Sequence, residues 1–122
     1  MIAGAVNARR EAVVPLRVRG PNGMEVVNAI VDTGFTAGLT LSRAVVQRLA
    51  LIRQSEGGAV LADGALRRYE IFAAEVEWGS AWRPVLVWAV GDEALVGMRL
   101  LAHHKLQIAV TPGGLVAIEP LS

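Results

Sequence analysis

The sequence predicts a mostly β domain, a small closed or partly closed barrel with two short helices. Three observations predict it. Apolar residues alternate with polar ones over several short stretches. Turn-forming pairs of Gly, Pro, Asn and Asp separate those stretches. Only two windows switch to helical spacing.

Glu11 to Arg19 is the first clear strand, with Val14, Leu16 and Val18 alternating with Arg17 and Arg19. Gly20-Pro21-Asn22-Gly23 is a hairpin turn, because Asn and Gly accept positive φ. Met24 to Asp32 follows with apolar residues on both faces, the pattern of a central strand. Ser42 can N-cap a helix from Arg43 to Ala50. Gln54 to Gly58 reads as a flexible loop. Ala59 to Trp78 reads as a long hairpin pivoting at Ala62-Asp63-Gly64. In its second arm Phe72, Ala74, Val76 and Trp78 face one way, Glu75 and Glu77 the other. Gly79-Ser80 turns the chain into Val85 to Val90, a buried strand. Ala94-Leu95-Val96-Gly97 leads into a second short helix, Met98 to His103. Leu106, Ile108 and Val110 form a strand, Thr111-Pro112-Gly113-Gly114 a type II turn, and Leu115 to Ile118 the last strand. No repeat or linker divides the 122 residues, so a single domain is expected over 1–122.

Composition narrows the function. Hydrophobic residues are 53% of the chain and charged residues 19%, more apolar than an average soluble domain, which points to a face covered by a second copy. The net charge is +1 without any basic run, and aromatic residues are scattered, so nucleic acid is not an expected partner. There is no cysteine, which excludes disulfides, thiolate catalysis and thiolate metal sites. His103-His104 point about 100° apart on a helix and make a poor metal pair. No apolar run is long enough to span a bilayer, and the first residues lack a signal-peptide core, so a cytoplasmic protein without a membrane partner is expected. Trp78, Trp82 and Trp88 suit core or interface anchors better than a stacking platform.

One stretch carries chemistry. In "AIVDTGFTAGLTL", Ala29 to Leu41, an apolar strand runs into Asp32 and a turn. Burying a carboxylate is costly unless it is paired or hydrogen-bonded. Thr33 offers a hydroxyl to the backbone, and Gly34 lets its N–H approach the carboxylate. Asp is also common as a plain turn residue, and the turn alone favours that reading. Two copies of such a carboxylate meeting across a two-fold axis would share a proton, one serving as general base on water and the other as general acid.

The sequence resembles a retropepsin-like aspartic protease, of the small single-lobe type. "AIVDTG" matches the pattern of apolar residues leading into Asp-Thr-Gly. "ALVGMRLL", Ala94 to Leu101, matches the second signature, and Val60 to Trp78 lies where the family has its flap hairpin. The tripeptide alone would occur by chance in on the order of a few per cent of chains this long. The ordered set of features is far more specific. The resemblance implies an acid-protease barrel with one lobe per chain, a homodimer with one Asp32 from each subunit, and hydrolysis of a peptide or protein substrate. It implies no metal or organic cofactor. Asp32 would be catalytic, Thr33 and Gly34 would support the loop, and Ala62, Asp63 and Gly64 at the flap tip would approach the substrate. Leu95-Val96-Gly97 would pack beside the catalytic loop. The terminal strands, Ile2 to Val6 and Leu115 to Leu121, would be candidates for the dimer interface.

Two positions depart from the family. Phe35 replaces a small residue and could narrow the cleft or pack under the loop. The flap tip is acidic, with one glycine. These departures keep a second reading in view, a dimeric peptide-binding or assembly module with little or no turnover. Hairpin chemistry alone would also explain Asp63-Gly64, and Arg67-Arg68 would be a solvated face.

Overall fold

A computed structural model describes residues 1–122, the side chain of Ala59 excepted. Ten strands and two helices follow in order: β1 (Ile2–Val6), β2 (Ala12–Gly20), β3 (Gly23–Val31), β4 (Leu39–Leu41), α1 (Arg43–Arg48), β5 (Ile52–Val60), β6 (Leu66–Trp78), β7 (Ala81–Ala89), β8 (Ala94–Val96), α2 (Met98–Leu101), β9 (His104–Ile108) and β10 (Leu115–Pro120). The strand order is β5-β6-β7-β4-β8-β3-β2-β1-β10-β9. A further pairing of β2 with β6, at Val18↔Val76 and Arg19↔Glu75, closes β6, β7, β4, β8, β3 and β2 into a six-stranded barrel. Outside the barrel, β5 continues the sheet as the outer arm of a hairpin, while β1, β10 and β9 extend it on the other side.

Alternation explains the closure. Val14, Leu16 and Val18 of β2 turn inward and are fully buried with Val76, Val87 and Val96. Arg17 and Arg19 turn outward on the same strand and pair with Glu77 (3.1 Å) and Glu75 (2.9 Å) across the closing seam. The Arg19 guanidinium also lies 4.0 Å from the centre of the Trp82 ring. Exposed pairs of this kind are each worth under about 1 kcal/mol, so the buried aliphatic face sets the register and the charges follow it. Val46 of helix α1 and Leu49 at its C-cap are buried in the same core. Its N-cap is Ser42, whose Oγ accepts from the Val45 N–H at 3.3 Å. Among the described residues, no helix is long and apolar enough to cross a membrane.

Several elements differ from the sequence expectation. Gln54 to Gly58 is not a loop but the middle of β5, paired with β6 through a register shift between Arg53 and Ser55. Val85 to Val90 is not buried on both sides: Val85 and Val87 face the core while Leu86 is exposed. Strand β3 is central, hydrogen-bonded to β2 and β8, yet one face is open and Val26 is exposed. Nothing covers these outer faces within one chain. Helix α2 is a single turn, because Ala102 returns to extended backbone and His103 takes a positive φ of 66°. The turn at Thr111 to Gly114 is as expected, with Gly113 at φ 78° and the Gly114 N–H bonded to the Thr111 carbonyl at 2.8 Å.

Candidate active site

Strand β8 passes between β3 and β4. It runs parallel to β3 (Ile30↔Leu95, Val31↔Val96) and antiparallel to β4 (Leu39↔Val96, Thr40↔Leu95). The chain leaving β3 must therefore travel around the end of β8 to reach β4. Asp32 to Gly38 make that crossing. The first residue of the crossing is tied down at once: the Asp32 N–H donates to the Val96 carbonyl at 2.9 Å. Its carboxylate oxygen Oδ1 accepts from the Gly34 N–H at 2.9 Å, and the Phe35 N–H donates to the Asp32 carbonyl at 3.1 Å. A Cβ on Gly34 would sit 3.2 Å from Oδ1, so a larger residue would press the carboxylate back by a few tenths of an ångström. The result is a half-exposed carboxylate with a fixed orientation, beside exposed Thr33, Gly34 and Thr36. The hydrogen bonds that brace the loop run through the backbone and the Asp32 carboxylate rather than through the Thr33 hydroxyl.

The far side of the loop is strapped by the residues that follow β8. The Gly97 N–H donates to the Gly38 carbonyl (2.8 Å), Met98 N–H to Phe35 (2.7 Å) and Arg99 N–H to Ala37 (3.2 Å). Gly97 lies so close that a Cβ would fall 2.1 Å from the Ala37 carbonyl oxygen and 2.5 Å from Cδ2 of Phe35. Thr40, buried in β4, joins the two strands from inside: its hydroxyl accepts from the Leu95 N–H (2.9 Å) and donates to the Glu93 carbonyl (3.1 Å). Arg83 donates to the Leu100 carbonyl at 3.3 Å, satisfying the end of α2.

The β5–β6 hairpin has two unlike faces. One carries ion pairs: Arg43–Glu70 (2.9 Å), Arg53–Glu70 (3.2 Å), Arg53–Glu56 (2.6 Å) and Arg68–Glu56 (3.9 Å). The other is aromatic. Tyr69 lies 5.6 Å from Trp88 of β7, and Trp88 meets Phe35 of the Asp32 loop edge-on at 6.1 Å and 84°. Gly57, opposite Tyr69, lets the backbone approach Trp88, since a Cβ there would lie 3.2 Å from the indole. The aromatic face is therefore the one turned to the Asp32 loop.

No family model matches the chain, and no curated protein matches its sequence. Among solved structures the chain is similar to a retropepsin-like aspartic protease from Rickettsia conorii, with a TM-score of 0.61 over 98% of this chain and 90% of that one, at 19% identity. The chain has the retropepsin-like fold. Its loop from Asp32 to Gly38 and its strap at Gly97 are the two sequence signatures brought into contact. Leu95-Val96-Gly97 packs beside the loop as the resemblance implies.

Within this retropepsin-like barrel, Ala62, Asp63 and Gly64 form the tip of the hairpin. Gly64 has φ 84°, and the Leu61 N–H reaches the Ala65 carbonyl at 2.8 Å. Oδ1 of Asp63 accepts from the Ala65 N–H at 2.9 Å, so one oxygen of this acid serves the turn itself. Phe35 resolves toward packing: its ring lies against Gly97 and Trp88, which the sequence alone could not choose over a narrowed cleft. The tryptophans divide. Trp78 is buried and donates to Nε2 of His104 at 3.2 Å, Trp82 lies under Arg19, and Trp88 joins the aromatic face. His104 has both ring nitrogens engaged, Nδ1 facing the Ala102 carbonyl at 2.8 Å. A cavity of about 630 Å³ lies near Glu11, Val13, Ile30, Asp92 and Glu93, and none of Asp32 to Phe35 lines it.

Proposed function

We propose that this chain is an aspartic endopeptidase that works as a homodimer, each subunit contributing its Asp32 carboxylate. One observation carries the reading: Asp32 is held at an open surface by the Gly34 N–H, on a loop tied at Asp32, Phe35, Ala37 and Gly38 to the segment Val96 to Arg99. A lone turn residue would need no such strap. A single chain offers one carboxylate, and peptide hydrolysis by this chemistry needs two.

Two carboxylates that face each other share one proton. The ionised one takes a proton from the water lying between them as the water oxygen attacks the peptide carbonyl carbon. The protonated one gives its proton to the carbonyl oxygen. The newly protonated carboxyl then gives its proton to the amide nitrogen while the other carboxylate takes one from a hydroxyl of the tetrahedral diol, so the C–N bond breaks, acid and amine are released, and the pair again holds one proton. The hairpin holds the peptide extended, through backbone hydrogen bonds that are indifferent to its sequence. Strands β1 and β10 are each hydrogen-bonded on both sides within the chain, so among the terminal strands β9 alone has a free edge for a second copy.

The test is cleavage of a diverse peptide pool between about pH 4 and 7, the range in which a shared-proton carboxylate pair titrates. Wild type and Asp32→Asn are compared by mass spectrometry. The reading predicts cleavage by wild type, best at mildly acidic pH, and none by the variant. A dimeric wild type that binds peptides and leaves them intact would instead make the chain a binding module.

A further inference from the structure

The two faces of the hairpin treat their arginines differently. Along β6, Arg68, Glu70 and Phe72 point one way, and Arg67, Tyr69 and Ile71 the other, because side chains alternate in a strand. Arg68 lies on the ion-pair face with Glu56 and Glu70. Arg67 lies on the aromatic face, two residues from Tyr69, whose ring leads through Trp88 to Phe35 and the Asp32 loop. It is exposed, and among the described residues no carboxylate pairs with it, while Arg43, Arg53 and Arg68 all have partners. Gly57, across from Tyr69, places no side chain in the way. A peptide lying along this face would meet aromatic surface and then a single unpaired guanidinium.

We propose that Arg67 selects substrates carrying an acidic side chain under the hairpin, which deepens the peptidase reading and rests on it. A guanidinium takes a carboxylate as a two-pronged hydrogen-bonded pair, and Tyr69 holds the adjoining part of the peptide flat. The pair is exposed to water, so it biases choice rather than dictating it. The expected preference for Glu over Gln at the matching peptide position is about two- to fivefold, and it shrinks at high salt.

The experiment uses peptides that differ only in Glu, Gln or Lys at one position, scanned along a cleaved sequence. Wild type should cleave the Glu peptide fastest at one position. Arg67→Glu should reverse the order there in favour of Lys, and Arg68→Gln, on the other face, should keep the wild-type order. Cleavage that depends on Asp32 but keeps its charge preference in Arg67→Glu overturns the proposal and leaves the peptidase reading standing. If no peptide is cleaved, binding of the same peptides is read by intrinsic tryptophan fluorescence, with Trp88→Phe as the control that assigns the change to Trp88. Binding whose charge preference Arg67→Glu reverses supports the proposal without the peptidase, and binding blind to that change overturns it.

Discussion

Gly97→Ala is a small change with a large expected effect. Gly97 has φ −103° and ψ 178°, a conformation open to any residue, so the cost is steric and not conformational. The added Cβ would meet the Ala37 carbonyl oxygen at 2.1 Å, Cδ2 of Phe35 at 2.5 Å and the Phe35 carbonyl oxygen at 2.7 Å. Real Cβ atoms do not come closer than 3.0 Å. Two of the three obstacles are backbone atoms of the Asp32 loop, and both accept hydrogen bonds from the segment that must recede. The ring of Phe35 cannot swing aside freely, because Trp88 is against it. Overpacking of this kind costs about 1–3 kcal/mol. For a chain of this size that is a fall in Tm of about 4–12 °C, measured by circular dichroism at fixed protomer concentration. A loop displaced by about 1 Å should also lose roughly a hundredfold in peptide cleavage. A variant that melts with wild type and cleaves at the wild-type rate would refute the claim that Gly97 braces the Asp32 loop.

Other residues give further predictions. Thr40→Val keeps the shape but leaves the Leu95 N–H without its acceptor, and should cost about 1–3 kcal/mol in urea unfolding, whereas Thr40→Ser should cost less. Ser42→Ala removes the N-cap of α1 and should lower stability by about 1 kcal/mol, read from the same unfolding curves. Phe35→Leu and Trp88→Leu, alone and together, form a double-mutant cycle that should return a coupling of about 0.5–1.5 kcal/mol, and strict additivity would deny the contact.

Much of the barrel was legible because its strands bury one face. Phe72, Ala74, Val76 and Trp78 alternate in the sequence and are all buried. Ser42 and the Pro-Gly turn announced themselves by local chemistry. Gln54 to Gly58 failed for a physical reason. Its one charge, Glu56, is matched by Arg68 on the neighbouring strand and by Arg53 beside it, and the register shift between Arg53 and Ser55 breaks the alternation. Val26 and Leu86 misled in the opposite sense, as apolar residues on outer faces that one chain leaves uncovered. At the site, the Asp32–Gly34 contact followed from the residue types alone. The strap by Gly97 followed only from the family resemblance, since the two segments are far apart in sequence. The aromatic face joining Phe35, Trp88 and Tyr69 had no signal in the sequence, because three separate elements supply it.

The central claim is that the active unit pairs Asp32 from two chains. Mixing subunits tests it most directly. Wild-type protein is held at a fixed concentration while Asp32→Asn protein is added, the two are allowed to exchange, and the peptide cleavage rate is followed. Random pairing leaves about half of the wild-type dimers when the two proteins are equal, and progressively fewer beyond that. The account predicts a cleavage rate that halves at equal amounts and approaches zero in excess variant. A rate that stays constant however much Asp32→Asn is added, with exchange demonstrated, would mean that each Asp32 acts alone and would contradict the account.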